Sequence, residues 1–248
     1  MTTNWFAGGG SNYALYRPDY PDALAAFLAE VAPDTRFAVD VGCGNGQFTG
    51  QLARHFEIVT GADPSADQIA NAVPHDRVRY VIAPAEALPV ADGAASLITA
   101  AQAAHWFDLP RFYGEVRRIA AAGAIVALVS YGVPRFDRCI GPRFDRFYYD
   151  EIGSYWPPER KLVESGYADI PFPFPEAPYP ALEIRRDWDV AAFLGYLSTW
   201  SAIRRLEQAG RDDIRAAFVE DITALWGDPA RRRPVSWPVS LRLGTAHP

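Results

Sequence analysis

The chain has 248 residues, 49% of them hydrophobic and 22% charged, with a formal net charge of −6. That balance supplies a sizeable core and excludes an intrinsically disordered chain. The acidic surplus excludes a nucleic-acid binder, which needs basic groups to displace phosphate counterions.

The amino-terminal run MTTNWFAGGGSNY lacks the basic start and apolar core of a secretory signal. No apolar stretch reaches the length of a membrane span, so no membrane association is expected. The amphipathic pattern of Pro21–Val31 predicts a helix ahead of the first strand. From Phe37 onward short apolar runs alternate with helical segments. Strands are expected at Phe37–Val41, Glu57–Ala62, Arg77–Ala83, Ala95–Ala101 and Ala124–Tyr131. Helices are expected at Gly46–Phe56, Ser65–Ala72, a short piece near Glu86, and Leu109–Ala122. Strands that are apolar almost throughout and alternate with helices imply a parallel sheet covered on both faces, a doubly wound α/β core.

The pattern changes after Tyr131. Seven prolines between Trp156 and Pro180 are interleaved with aromatic residues, which suits extended chain lying on an apolar surface better than a solvated linker. A helix over Val190–Ala209 follows, with Asp189 as its cap and Gly210 as its stop, then a second over Asp213–Trp226 ending at Gly227. Ala181–Arg186 and Val235–Leu243 read as the last strands. The basic run Arg231-Arg232-Arg233 reads as a solvated turn. The expected organisation is a single domain over residues 1–248. Its parts are an amino-terminal lid and helix (1–35), a cofactor-binding core (36–131), a substrate-cover insertion (132–234) and a last strand (235–248).

Lys161 is the only lysine, so an individual arginine says little about guanidinium chemistry here. The two cysteines, Cys43 and Cys139, form no CxxC pair, and no His or Cys spacing suits a metal. A reducing compartment, the cytoplasm, is expected, with neither a metal nor an obligate protein partner.

The chemistry concentrates in Val39-Asp40-Val41-Gly42-Cys43-Gly44-Asn45-Gly46-Gln47, between a predicted strand and a predicted helix. Glycines in that context let the backbone turn tightly and approach a ligand. A dinucleotide fingerprint, G-x-G-x-x-G, would place its third glycine where Gln47 stands; here it comes one residue earlier, at Gly46. Asp40 beside the turn would repel a pyrophosphate but suits a ligand carrying an ammonium group. Both points disfavour an NAD(P)-dependent oxidoreductase and favour S-adenosylmethionine, which has an ammonium and no phosphate. Asp63 ends the next strand at close to the roughly 20-residue spacing expected of a ribose-binding carboxylate. It can also serve as a helix N-cap, with Pro64 at the first helical position. Beyond the third strand, Pro84-Ala85-Glu86-Ala87-Leu88-Pro89 offers backbone amides to an adenine edge. His105 is the one histidine placed for acid–base work, just past the fourth strand; it can equally be a packed ring orienting Trp106 or Phe107.

Together these pieces resemble the class I S-adenosylmethionine-dependent methyltransferases, and more narrowly the type 11 group related to trans-aconitate methyltransferase. The likeness is carried by Tyr13…Tyr16-Arg17-Pro18, Val39–Gln47, Gly61–Ser65, Ala85–Pro89, Ala101–Asp108 and Glu115-Val116-Arg117-Arg118. Gly166-Tyr167, Pro171–Phe174 and Thr199-Trp200-Ser201 extend it over nearly the whole chain. The resemblance implies a Rossmann-like, seven-stranded, mostly parallel sheet with its last strand antiparallel and a C-terminal helical insertion over the pocket. It implies Gly42, Cys43, Gly44 and Gly46 around the methionine end, Asp63 and Pro64 at the ribose, Ala85 and Glu86 beside the adenine, and Gln102 near the sulfonium. It also places an amino-terminal segment with Tyr13, Tyr16 and Arg17 over the cofactor. Trp106, Tyr131 and Arg135 are expected within reach of a small-molecule methyl acceptor. Where relatives carry an acid before the Ala-Glu pair, this chain has Pro84, so adenine recognition falls to backbone atoms or Glu86. The expected activity is O-methylation of a carboxylate or hydroxyl by in-line displacement; a non-catalytic cofactor-binding module is the remaining reading.

Overall fold

Strand β1 (Phe37–Val41) is the start of the core, and every residue in it after Phe37 is buried. A computed structural model describes residues 16–247. Helix α1 (Asp22–Val31) precedes β1 and buries Leu24, Ala25 and Leu28. After β1 come α2 (Gln47–Leu52), β2 (Ile58–Asp63), α3 (Ala66–Ala70), β3 (Val78–Ile82) and β4 (Ala95–Ala101). A single 3-10 turn at Ala104–Trp106 leads to α4 (Leu109–Ile119) and β5 (Ala120–Tyr131). Beyond β5 lie α5 (Gly141–Asp145), a π-helical turn at Arg146–Glu151, α6 (Arg160–Glu164) and β6 (Leu182–Trp188). The last elements are α7 (Val190–Ser198), α8 (Ser201–Gln208), α9 (Asp212–Trp226) and β7 (Arg233–Thr245).

The seven strands form one mixed sheet in the order β3-β2-β1-β4-β5-β7-β6. β1 pairs in parallel with β2 and β4, β2 with β3, and β4 with β5; β7 runs antiparallel to β5. Parallel neighbours joined by helices are the Rossmann-like arrangement, and they align their carboxyl ends along one edge. The reversal of strand order beside β1 makes that edge a crevice where ligands bind.

By internal contacts the chain divides into two units. Among the described residues the larger comprises Asp19–Gly132, Lys161–Glu183 and residues 238–247; the other comprises residues 16–18, Val133–Arg160 and Ile184–Trp237. The larger unit is held by an apolar core that includes Val39, Val41, Ile98, Phe112, Val116, Val126, Leu128, Tyr167 and Phe174. Phe172 and Phe174 lie edge-on to the Tyr113 ring, 6.3 and 5.4 Å between centroids, so the proline-rich stretch here does cover apolar surface. The other unit packs around rings. Phe147 stacks on Phe218 at 3.8 Å, and Phe193, Tyr196, Trp200, Trp226 and Trp237 are all buried.

Three local expectations are corrected. The residues around Glu86 form a turn, not a helix. The helix expected over Val190–Ala209 breaks between α7 and α8, where the Thr199 hydroxyl donates to the Tyr196 carbonyl and Trp200, extended at ψ 137°, turns its indole into the aromatic core. Arg233 is not in a solvated turn. It opens β7, is buried, pairs with Asp137 at 2.7 Å and donates to the carbonyls of Leu225 and Trp226. Asp189 and Gly210 do hold the cap and stop positions: the Asp189 side chain accepts from Ala192 N at 2.8 Å, and Gly210 has φ 67°. No helix of the described residues is long and apolar enough to cross a membrane.

Candidate functional site

The turn between β1 and α2 needs its glycines. Gly42, Gly44 and Gly46 all have positive φ, 69°, 56° and 84°, in a region that L side chains enter only with strain. A Cβ on Gly42 would stand 2.5 Å from that of Ala103, and one on Gly46 would overlap the Tyr80 hydroxyl. At Gly44, by contrast, the nearest atom among the described residues to an added Cβ is Gln68 Oε1 at 3.7 Å, so the described residues leave this face of the turn open. Backbone bonds fix the loop: the amides of Gly42 and Cys43 donate to the Ala62 carbonyl at 2.7 and 3.0 Å, and Gly46 N donates to Cys43 O at 3.0 Å.

Two carboxylates support the turn from different sides. Asp40, beside Thr99 in the β1–β4 register, is buried. Its two oxygens accept from the hydroxyls of Thr49 (2.7 Å) and Thr99 (2.8 Å). Burial pushes its pKa up to about 6 against the pull of those two hydrogen bonds. Asp40 therefore braces the turn from inside, and any attraction it exerts on an ammonium acts through space. Asp63, at the end of β2, is only partly buried. Its Oδ2 accepts from Gly44 N at 2.9 Å and its Oδ1 from Ser65 N at 2.8 Å. Ser65, not Asp63, is the N-cap of α3, accepting from Gln68 N, and Pro64 stands before that cap. The Cys43 thiol is driven well above its ordinary pKa by burial, with Asp40 and Asp63 adding to it, so it stays protonated and is a packing group.

The loop after β3 is tied down from α4. Leu88 N donates to Glu115 Oε1 at 2.5 Å, and Arg118 donates to the carbonyls of Leu88 (3.0 Å) and Val90 (2.8 Å). Arg118 also pairs with Glu115, whose pKa it lowers. Ala85 is buried, and Glu86 Oε1 accepts from Asp108 N at 2.9 Å, joining this loop to the one that follows β4.

That second loop begins at Gln102, one of two non-glycine residues with positive φ among those described (53°). Gln102 is fastened at both ends: its amide donates to Val129 O and its Nε2 to Tyr131 O, each at 2.8 Å. Tyr131 is buried, edge-on to Tyr20 at 5.8 Å between centroids, so it bears on the site through its carbonyl. His105 Nδ1 lies 2.8 Å from the Tyr167 hydroxyl, and its ring is 4.8 Å from that of Trp106, which is 41% exposed.

Gly42–Gly46, Asp63, Pro64, Ala85, Glu86, Gln102, His105, Trp106 and Tyr131 thus all belong to one unit, on loops leaving the carboxyl ends of parallel strands or at those ends. Tyr16, Arg17 and Arg135 belong to the other unit. There the Tyr16 ring fills the space a Cβ on Gly195 would take, Arg17 lies over the Tyr196 ring at 5.6 Å, and Arg135 bridges to Ser236. Tyr13 falls outside the described residues. Sequence reasoning gave no role to Tyr80, Arg118 or Tyr167. Of these Arg118 and Tyr167 carried a local signal, in the Glu115-Val116-Arg117-Arg118 run and the Gly166-Tyr167 pair, and Tyr80 carried none. Among the described residues no group of His, Cys, Asp and Glu is arranged to hold a metal ion.

Residues 39–128 match the protein family described as a methyltransferase domain. A protein named as a methyltransferase in Dictyostelium discoideum is 34% identical over 88% of this chain and 84% of its own length. A solved structure named as a type II methyltransferase from Anaeromyxobacter dehalogenans is 46% identical. It covers 94% of this chain and 99% of its own, with a TM-score of 0.89. A malonyl-[acyl-carrier protein] O-methyltransferase of Methylococcus capsulatus is 26% identical over 51% of this chain and 48% of its own length.

Proposed function

This chain belongs to the class I S-adenosylmethionine-dependent methyltransferases, and from that premise we propose that it methylates an oxygen of a small molecule, a carboxylate or a hydroxyl. The cofactor supplies a methyl group on a positively charged sulfur, already activated for in-line displacement. What remains for the protein is to bind, align and keep water out.

The site residues fit that cofactor. The open face at Gly44 is the cradle the methionine end requires, with Gly42, Cys43 and Gly46 shaping it and Asp40 setting a negative potential behind it. A carboxylate offers about four lone-pair sites, and two on Asp63 are taken by Gly44 N and Ser65 N; the others would accept the ribose hydroxyls, with Pro64 alongside. Ala85 and Glu86 would flank the adenine, recognised through backbone atoms because Pro84 offers no acid. Gln102 would stand near the sulfur.

The observation that carries the acceptor reading is His105, on the loop after β4 at the edge where the parallel strands end. A carboxylate acceptor is ionised at neutral pH and needs no base, whereas a hydroxyl must lose a proton as its oxygen attacks. His105 would take that proton. Trp106 and Tyr131 would border the acceptor. We read the chain as one methyltransferase domain in the cytoplasm. The narrower likeness to trans-aconitate methyltransferase makes small polycarboxylates the first acceptors to try. The malonyl-[acyl-carrier protein] O-methyltransferase among the relatives is consistent with oxygen as the methylated atom.

Calorimetric titration with S-adenosylmethionine and S-adenosylhomocysteine, with NADH as control, followed by an acceptor screen, tests the reading. Binding of both sulfur ligands and turnover on an oxygen acid or alcohol supports it. Binding with no turnover on any acceptor would favour a non-catalytic module, and methyl transfer confined to amines would overturn the oxygen assignment.

A further inference from the structure

Tyr167 is the second non-glycine residue with positive φ, 65°, yet its side chain is fully buried in the apolar core of the larger unit. A tyrosine in the left-handed region is strained and persists only where its surroundings enforce it. They do so here. Gly166, itself at φ 63°, passes so close to β7 that a Cβ would stand 2.5 Å from Ser240 Oγ. Tyr167 N donates to Leu162 O at 2.8 Å. Arg242, also on β7, donates from one nitrogen to the carbonyls of Tyr167 (3.0 Å), Ala168 (3.2 Å) and Ile170 (2.8 Å), while its other nitrogens pair with Glu176. This frame delivers one polar atom, the phenol oxygen, to His105 Nδ1 at 2.8 Å.

We propose that Tyr167 is the positioning residue for His105: its phenol oxygen accepts the Nδ1–H, which fixes the imidazole tautomer and directs proton exchange with the acceptor to Nε2. The inference rests on the reading of His105 as the base. The heavy-atom distance admits either direction of hydrogen bonding, and the chemistry selects between them. With Nδ1–H donating, the lone pair lies on Nε2. An acceptor hydroxyl then passes its proton to Nε2 as its oxygen gains the methyl group, and the resulting imidazolium keeps the same bond to Tyr167 before losing the proton to solvent. With the phenol donating instead, Nε2 would carry the hydrogen, and the ring could take a proton only by breaking that bond.

The test needs no acceptor. Ring nitrogens of the four histidines are observed by 15N NMR in the full chain saturated with S-adenosylhomocysteine, with His105 assigned from His105→Gln. In the unchanged protein Nδ1 of His105 should resonate as a protonated nitrogen and Nε2 as an unprotonated one. In Tyr167→Phe, which keeps the ring and loses the oxygen, the two should exchange character. A His105 protonated at Nε2 in the unchanged protein, or no change in Tyr167→Phe, overturns the proposal. Calorimetry on Tyr167→Phe checks that the cofactor site is intact; if it is lost, Tyr167→Leu, which offers neither an acceptor oxygen nor a donor, is read instead against the same criteria. If the tautomer behaves as stated but His105→Gln retains full activity on an acceptor found by screening, then it is the base assignment that fails.

Discussion

Gly44 N donates to Asp63 Oδ2 at 2.9 Å, and this bond ties the open arch of the first βα turn to the end of the neighbouring strand. The carboxylate that would hold the ribose is thus also the group that fixes the peptide facing the methionine end. Asp63→Ala should therefore weaken binding of S-adenosylhomocysteine on the order of 100-fold, the loss of one or two charge-assisted hydrogen bonds. Asp63→Asn should lose nearly as much, because its amide nitrogen must face the amide hydrogen of either Gly44 or Ser65. Calorimetry on variants with unchanged circular dichroism reads the effect, and an affinity within a few-fold of the parent would remove Asp63 from the cofactor site.

Gly46 and Tyr80 form a second pair that is separable by mutation. Gly46→Ala pays for a left-handed backbone and collides with the Tyr80 hydroxyl, so it should destabilise the fold by roughly 2–4 kcal/mol. Trimming the partner in Gly46→Ala/Tyr80→Phe should recover part of that loss. Denaturant titration of both single variants and the double gives the coupling. Strictly additive effects would mean that the hydroxyl adds nothing to the strain, leaving the backbone angle and the ring carbons, 2.6 and 2.7 Å from the added Cβ, as its source.

The glycine turn, β1, β4 and the acid ending β2 were legible in the chain because each is a local pattern: a continuous apolar run, a glycine cluster, a polar residue where the run stops. What stayed hidden depends on partners distant in sequence. Asp40 was read as facing a ligand, but its register neighbour Thr99 and the helix residue Thr49 claim both its oxygens. The segment near Glu86 has helix-forming composition, yet Arg118 and Glu115, about thirty residues on, hold its backbone in a turn. Trp200 breaks a helix that periodicity would continue, because its indole packs against Tyr196, Phe144 and Trp156. Tyr167 looked like one more aromatic in a proline-rich stretch until β7 supplied the frame around it.

Arg118 is predicted to act through carbonyls more than through charge. Its ion pair with the exposed Asp92 should contribute no more than about 0.5 kcal/mol, so Asp92→Asn should be nearly silent. Arg118→Ala releases the carbonyls of Leu88 and Val90 together with the pair to Glu115 and should cost about 1–2 kcal/mol, with faster hydrogen exchange at residues 85–90. Arg118→Lys should behave more like the alanine variant than the parent, since an ammonium cannot span the same set of acceptors. Equal effects of Asp92→Asn and Arg118→Ala would assign the stabilisation to the ion pair instead.

Asp40 gives the fold a pH dependence opposite in sign to that of its other perturbed carboxylates. Its folded pKa is raised by burial to about 6, above the ordinary value of 3.8. Below that ordinary value both states are neutral and nothing is lost. Between 3.8 and about 6 the folded protein keeps a proton that the unfolded chain releases, so this group's contribution declines as pH rises. Above about 6 the loss is complete, on the order of 3 kcal/mol. Asp40→Asn carries no such titration, and one of the Thr49 and Thr99 hydroxyls can rotate to accept from its amide nitrogen while the other still donates to its oxygen. Asp34, Glu115 and Asp137 have lowered pKa values and pull the other way, but they do so in both proteins and cancel in the difference. Denaturant titrations from pH 4.5 to 7.5 should therefore show the parent losing stability relative to Asp40→Asn as pH rises. A difference that does not change with pH would mean that the two threonine hydrogen bonds offset burial and keep Asp40 ionised throughout.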